Sequence, residues 1–163
     1  MIKMTLINNL KIVNATMDDI DGIRNLMKQL CKTLGKTFNE ERFYRGLLKR
    51  LNDKIQKNGY FLAKDGEKVV GMIFAEISEV INMKNTKELE GFLKTVIVDE
   101  AYRGLKLGEK LIERAIEYFK EKNIKIIRTN VHEKAEIALK LYTKFGFVNE
   151  FELEPFNRYI LRL

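Results

Sequence analysis

Two runs of apolar and β-branched residues, 60–64 and 68–77, flank Asp65 and Gly66, and this pattern constrains the fold more than any other local feature of the chain. An Asp-Gly pair between two such runs is the strongest short-range signal for a β-hairpin. The sequence therefore predicts an antiparallel pair of strands near the middle of the chain.

Elsewhere the chain alternates between helical and strand periodicity. Helices are predicted at 18–34, 40–55, 107–120 and 136–144. Further strands are predicted at 10–15, 90–98, 124–130, 147–153 and 159–163. The resulting order is β-α-α-β-β-β-α-β-α-β-β, an α/β (α+β) chain. With 163 residues, 45% hydrophobic content, no repeat and no linker-like segment, it is expected to form a single domain over residues 1–163.

Composition narrows the functional classes. The longest apolar runs, such as 69–75, are much shorter than the roughly 20 residues of a membrane span, and no signal-peptide stretch opens the sequence, so we expect a cytoplasmic protein. Cys31 and His132 are the only residues of their kinds, so no metal site is predicted. Cys31 is expected to be a buried small side chain and His132 to have a surface role where a helix starts.

A glycine-containing turn after the strand at 90–98 has the composition of an anion site. Arg103, Gly104, Lys106 and Gly108 lie at or just before the start of an amphipathic helix. Unpaired N–H groups at a helix N-terminus bind phosphate oxygens, and glycine allows close approach. The alternative is structural: Gly104 eases a turn, and Gly108 permits a tight helix-to-strand contact.

This turn resembles the signature of the GNAT-type N-acetyltransferases, in which Arg or Gln, Gly, and Gly or Ala recur at positions matched here by Arg103, Lys106 and Gly108. Lys106 replaces the usual middle glycine. A second family motif is matched by Ala138, Leu141, Tyr142, Gly146 and Phe147, while Ala135 stands where the family often has asparagine. The resemblance covers the order of elements throughout and is strongest over 93–149.

The resemblance implies a mixed, mostly antiparallel central sheet with helices on both faces, and acetyl-CoA as the acetyl donor. The pantetheine arm would lie between the strand that ends at Val98 and the strand that begins near Ile124. A backbone N–H near Val96 or Ile97 would face the thioester carbonyl, and Tyr142 would protonate the thiolate that leaves. The cofactor-binding residues implied in this way are Val96, Ile97, Val98, Arg103, Gly104, Leu105, Lys106, Leu107, Gly108, Glu109 and Tyr142.

The general base is left open between two carboxylates. Strand alternation predicts that Glu90 shares a face with Val96 and Val98, although Phe92 stands where histone-type members of the family place a glutamate. Glu76, on the neighbouring strand, is an equal candidate. The base is needed because an alkylamine has a pKa near 10.4 and must lose a proton before it attacks.

The acceptor class and two other functions remain open. The predicted reaction is acetyl transfer to a primary amine by direct attack in a ternary complex, and the amine is a protein N-terminus, a lysine, a polyamine or a small metabolite. Segments 34–39 and 78–89 are expected to frame the acceptor, and a homodimer is plausible. The alternatives are an acyl-CoA-binding module without turnover and, because the net charge is +7, a nucleic-acid-binding protein. Against the latter, basic residues are mixed with glutamates and form no stripe.

Overall fold

The computed structural model describes residues 9–163 and confirms the predicted order of elements. The strands are β1 Leu10–Asn14, β2 Tyr60–Asp65, β3 Lys68–Ile81, β4 Lys87–Val98, β5 Ile126–His132, β6 Val148–Leu153 and β7 Phe156–Arg162. The helices are α1 Ile20–Thr33, α2 Glu40–Asn52, α3 Leu107–Glu121 and α4 Glu136–Lys144. Short 3-10 turns precede α1, β2 and α3. No helix in this part of the chain is long and apolar enough to cross a membrane.

The strands form one mixed sheet in the order β1-β2-β3-β4-β5-β7-β6. All neighbouring pairs are antiparallel except β4 and β5. The predicted β2–β3 hairpin is present, but its two turn residues are Gly66 and Glu67, because Asp65 still pairs with Lys68. Of the two, Gly66 has the positive φ, 59°, which glycine adopts without steric cost.

Helices cover both faces of the sheet, as predicted, because strand residues alternate between two apolar cores. One core joins α3 and α4 to residues such as Leu93 and Ile127. The other joins α1 and α2 to residues such as Met72 and Phe74. Gly91 on β4 allows the close approach of α3, because a Cβ at this position would lie 2.7–2.9 Å from three ring atoms of Phe119.

The β3–β4 pair is longer than predicted. Residues 78–89 were expected to form a loop that frames the acceptor, yet most of them belong to strands, with pairing from Ser78↔Glu90 to Ile81↔Lys87. Only the tip, residues 82–86, connects the strands. The polar side chains here misled the prediction, because a strand pair that extends beyond the helices can be polar on both faces. The expectation of a loop over 78–89 is therefore wrong.

An irregularity near the end of β4 reverses the faces of its last residues. Thr95 has a positive φ of 61°, and the pairing with β3 shifts between Phe74↔Lys94 and Met72↔Ile97. Such a β-bulge breaks the two-residue alternation. Val96 and Val98 consequently pack against the α3–α4 core, whereas Ile97 packs on the α1–α2 side.

The predicted common face of Glu90, Val96 and Val98 is therefore wrong. Glu90 lies on the same face as Phe92, opposite Gly91, whose missing side chain makes room for α3. The extra residue of the bulge places the two valines on the other side of the sheet. The bulge could not be located from the sequence, because a positive φ is unusual for a β-branched residue such as Thr95.

Candidate active site

Strands β4 and β5 separate at the centre of the sheet. Their parallel pairing is limited to Gly91↔Ile127, Phe92↔Arg128 and Leu93↔Thr129. At the last pair, the Thr129 hydroxyl donates a hydrogen bond of 2.9 Å to the Leu93 carbonyl. Beyond this bond β4 continues through the bulge to Val98 without a partner on its β5 side. The sheet is therefore open on one side of Thr95 and Val96.

A cleft of about 690 Å³ occupies this opening. It is lined from one side by α1, α2 and the loop between them, and from the other by α4 and the ends of β5 and β7. Residues of both apolar cores contribute, for example Leu47 from one and Ala138 from the other. The cleft thus extends between the parted strands from one face of the sheet to the other, and two molecules could approach each other in it from opposite sides.

Tyr142, the predicted general acid, lies in this cleft. It is carried by α4, is 3% exposed, and its ring packs at 5.3 Å from that of Phe147. Burial raises the pKa of Tyr142 to about 12, an effect that a hydrogen bond with Thr129 partly offsets. The phenol therefore keeps its proton at neutral pH and is a hydrogen-bond donor in an otherwise apolar part of the cleft.

The predicted pyrophosphate turn lies at the start of α3. Gly104 has a φ of 79° and Lys106 one of 60°, so the chain makes two left-handed steps before the helix. No side chain of the described residues caps α3, and the first N–H bond to a helical carbonyl runs from Lys110 to Lys106 at 3.2 Å. The N–H groups of the first helical turn remain available to an anion.

Side chains around this turn divide into exposed and buried ones. Arg103 and Lys106 are exposed, whereas Leu105 and Leu107 are buried and anchor the turn in the α3–α4 core. Glu109 accepts a hydrogen bond of 2.6 Å from Lys144 on α4, and this contact holds the pKa of Glu109 below its usual value. The ammonium group of Lys144 thereby balances the negative charge of Glu109 beside the turn, where an uncompensated negative charge would repel phosphate.

Gly108 has a packing role that involves a helix. A Cβ at this position would lie 2.7 Å from Leu141 Cδ1 and 3.9 Å from Val98 Cγ2. The structural alternative of the sequence analysis therefore accounts for this glycine, except that the tight contact is with α4 rather than with a strand. A Cβ on Gly104, by contrast, would have no neighbouring atom within 4 Å, and the positive φ of Gly104 accounts for its identity.

Neither candidate base lines the cleft. Glu90 forms an ion pair with Arg128, which also bonds to Glu150 at 3.0 Å. Glu76 accepts two hydrogen bonds of 3.0 Å from Lys94 and one of 3.2 Å from Ser78. Of the two carboxylates, Glu76 is connected to the cleft, because Lys94 is one of the lining residues.

His132 lies in the cleft rather than on the surface, which corrects the expectation for this residue. It is 8% exposed and its ring meets that of Phe156 edge-on at 4.9 Å. The backbone N–H of Lys134 donates to its Nδ1 at 3.1 Å, so the neutral ring carries its proton on Nε2. Sequence reasoning placed His132 between a strand and the start of a helix but had no signal for its burial against Phe156 of β7.

Cys31 also lines the cleft and is only partly buried, which corrects the expectation of a buried side chain. Of the two segments expected to frame the acceptor, 34–39 does line the cleft, with Phe38 and Asn39 among its members. Several lining residues were not singled out by sequence reasoning, above all Arg50 on α2 and Lys94 on β4. No group of three metal-ligating side chains occurs in the described range.

Comparisons with known proteins agree with this geometry. An uncharacterized N-acetyltransferase of Methanocaldococcus jannaschii is 25% identical over 163 residues, which cover 97% of this chain and 69% of that protein. Two crystal structures share the fold. One is an acetyltransferase of the GNAT family from Staphylococcus aureus, with a TM-score of 0.74, 20% identity, and coverage of 94% of this chain and 99% of that one. The other is the PaiA N-acetyltransferase from Thermoplasma acidophilum in complex with coenzyme A, with a TM-score of 0.69, 16% identity, and coverage of 94% and 99%.

The profile of the acetyltransferase (GNAT) family matches residues 23–147. This range includes most of α1, all of α2 to α4, the bulged strand, the turn before α3 and the tyrosine of the cleft. Since the match covers most of the sequence, the chain belongs to the GNAT family of acetyltransferases.

Proposed function

We propose that the chain transfers an acetyl group from acetyl-CoA to a primary amine by direct attack in a ternary complex. The observation that carries the proposal is the cleft between β4 and β5, which extends to both faces of the sheet and contains Tyr142. The donor enters from the side of α3 and α4, and the amine from the side of α1 and α2. Because both substrates lie close together in one cleft, the amine attacks the thioester directly and no covalent acetyl-enzyme is formed.

The donor is held by β4 and by the turn before α3. The pantetheine arm lies along Val96, Ile97 and Val98, and the pyrophosphate lies at the N–H groups of residues 104–109, beside Arg103 and Lys106. Val96 is the better donor to the thioester carbonyl, because Ile97 is already paired with Met72 on β3, whereas Val96 has no register partner on either neighbouring strand. A backbone N–H placed there stabilises the negative charge of the tetrahedral intermediate.

Tyr142 protonates the departing thiolate. With its pKa raised to about 12, the phenol carries the proton that this step requires at the pH at which the enzyme works. Proton donation in the transition state contributes about 100-fold to 10,000-fold in typical enzymes. The packing of its ring on Phe147 fixes the direction of the hydroxyl group.

The attacking amine loses its proton to water in the open cleft, with Glu76 as the candidate relay behind Lys94. Glu90 is the weaker candidate, since neither its carboxylate nor its ion-pair partner Arg128 lines the cleft. His132 is not suited to accept this proton while its Nδ1 accepts the Lys134 N–H, because Nε2 is then protonated.

The first test is calorimetric titration of acetyl-CoA into the native chain and into an Arg103→Glu, Lys106→Glu variant. Both side chains are exposed, so the variant reverses charge at the turn without loss of packing. The matched control is Lys54→Glu, Lys57→Glu, which makes the same change of net charge at exposed sites outside the cleft. Gly108 is left unchanged, since a side chain there meets Leu141.

We expect binding of about 8 kcal/mol, a micromolar Kd, in the native chain and in the control, and weakened binding in the turn variant. Release of free CoA thiol in the presence of amines then measures turnover, with Tyr142→Phe as the comparison. Binding without acetylation of any amine would favour an acyl-CoA-binding module. Absence of acetyl-CoA binding would refute the proposed reaction.

A further inference from the structure

All charged side chains that line the acceptor side of the cleft in the described part of the chain are basic. Among the described residues that line the cleft there is no aspartate or glutamate, although the chain contains 23 of them. The cationic lining residues are Lys36, Arg42, Arg50 and Lys94. These lining side chains would repel a polyamine or a lysine-rich peptide, which costs binding free energy.

Arg50 is the cation of this lining that lies over the ring of a core phenylalanine. It lies near the end of α2, is partly buried, and its guanidinium carbon lies 4.5 Å from the centroid of the Phe74 ring. Phe74 pairs directly with Lys94 across β3 and β4, so Arg50 and Lys94 are both neighbours of Phe74 on this face of the sheet. Neighbouring side chains in a pair of strands are only about 5 Å apart at Cβ.

Arg50 has no carboxylate partner among the described residues, whereas Lys94 is already bound by Glu76. The Arg50 guanidinium also forms a hydrogen bond with the Tyr60 hydroxyl, and the remaining donors of its planar set of five match a carboxylate or a phosphate. His132 is a donor as well, because its Nδ1 already accepts a backbone N–H. The ionisable side chains of this cleft therefore offer donors to a ligand.

The phosphates of acetyl-CoA do not fill this position. The turn that would bind them starts α3, whose apolar side packs in one core, while Arg50 and Phe74 belong to the opposite face with α1 and α2. The remaining wall on the acceptor side is aromatic, with Phe38, Phe43 and Phe92 among the lining residues. An acceptor that fits combines an apolar part with an anionic group.

We propose that the acceptor of this enzyme is a small amine that also carries a carboxylate or phosphate group, which Arg50 binds while the apolar part of the molecule lies against the phenylalanines. The proposal rests on the acetyl transfer proposed above and narrows its acceptor. It assigns Arg50 as a specificity-determining residue.

The test compares amines in matched pairs by release of CoA thiol from acetyl-CoA. One pair is L-phenylalanine and L-phenylalaninamide, and the other is O-phosphoethanolamine and ethanolamine; spermidine represents polycations. Rates are compared per unit of unprotonated amine, because the pairs differ in amine pKa. We expect the anionic member of at least one pair to have the higher kcat/KM, and spermidine to be poor.

Arg50→Gln should reduce the preference for the anionic member by about tenfold or more, the usual effect of a lost charge-assisted hydrogen bond. It should leave the Kd for acetyl-CoA unchanged, which also shows that the variant is folded. The matched control is Arg45→Gln on the same helix, since Arg45 pairs with Glu41 and does not line the cleft. This control should retain the native preference.

The outcomes separate the two proposals. Faster acetylation of the neutral members or of spermidine, or an unchanged preference in Arg50→Gln, would overturn the anionic acceptor and leave acetyl transfer supported. If acetyl-CoA binds but no amine of either pair is acetylated, the proposal of a small anionic acceptor is overturned as well. Failure to bind acetyl-CoA at all would overturn the proposed function itself.

Discussion

The contact between Gly108 and Leu141 provides a test of why the turn before α3 contains glycine. If packing is the reason, Gly108→Ala forces a Cβ to within 2.7 Å of Leu141 Cδ1. Overpacking of this kind costs about 1–3 kcal/mol. Because Leu141 is only partly buried and has room to move, we expect a value near the lower end. A loss of about 1 kcal/mol lowers the Tm by about 2–4 °C in a chain of this size.

A double-mutant cycle with Leu141→Ala isolates the contact. The single Leu141→Ala change removes a half-buried leucine and should cost about 1–2 kcal/mol, less than a fully buried one. In that background the added methyl group at 108 has space, and replacement of a helical glycine then gains up to about 0.5–1 kcal/mol. The effect of Gly108→Ala should therefore change sign, with a coupling energy of about 1.5 kcal/mol or more.

Urea denaturation of the four proteins measures the cycle, with acetyl-CoA titration in parallel. If the free-energy costs of the two single changes add up to the cost of the double change to within about 0.5 kcal/mol, the packing account is refuted. So would near-native stability of Gly108→Ala together with loss of acetyl-CoA binding, since the glycine would then serve phosphate approach alone. Sign reversal with retained binding in the double variant would establish the packing role.

Three further changes test other parts of the structure. Lys106→Gly should raise the free energy of unfolding by up to about 1 kcal/mol, because a lysine in the left-handed conformation costs about 1–2 kcal/mol. The same change should weaken acetyl-CoA binding. As a control, Lys110→Gly on the exposed surface of α3 should lower the free energy of unfolding by about 1 kcal/mol. Gly91→Ala should cost about 1–3 kcal/mol in urea denaturation, since its Cβ meets the buried Phe119 ring at 2.7 Å, and an unchanged midpoint would contradict this. Because the pKa of Tyr142 is raised to about 12, its proton is lost only as the pH rises through that value. A pH profile of kcat/KM should therefore climb as the amine is deprotonated and show no decline below about pH 10. Tyr142→Phe should lower kcat about 100-fold at every pH without a change in the shape of the profile.

Local signals account for what the sequence predicted. Gly66 marks the β2–β3 hairpin, and the amphipathic helix predicted at 107–120 buries its apolar face, with Leu111 and Phe119 fully buried. The turn at 103–108 was singled out by its glycines and basic residues at a helix start, and Tyr142 was found through the family resemblance. In each case the information lies within a few residues of the feature, where propensity and periodicity act.

The cleft could not be predicted in this way, because its acceptor side is assembled from distant segments. Arg50 and Lys94 are 44 positions apart in the sequence and line the same cleft because Arg50 lies over the ring of Phe74, which pairs with Lys94 in the neighbouring strand. The burial of His132 likewise depends on Phe156 from β7. A basic residue on a helix is usually solvated, so composition gave no reason to single out Arg50.

The bulge at Thr95 divides the proposed chemistry between the two sides of the sheet. In a regular strand Lys94 and Val96 would face the same way, and the donor and the acceptor would compete for one face. The left-handed step at Thr95 turns Val96 to the α3–α4 side and keeps Lys94 with Arg50 on the other. A β-branched residue with positive φ costs on the order of 1–3 kcal/mol, and the tightly packed cores on both faces offset this cost. The least regular position of β4 therefore lies where, in this proposal, the acetyl group passes from one substrate to the other.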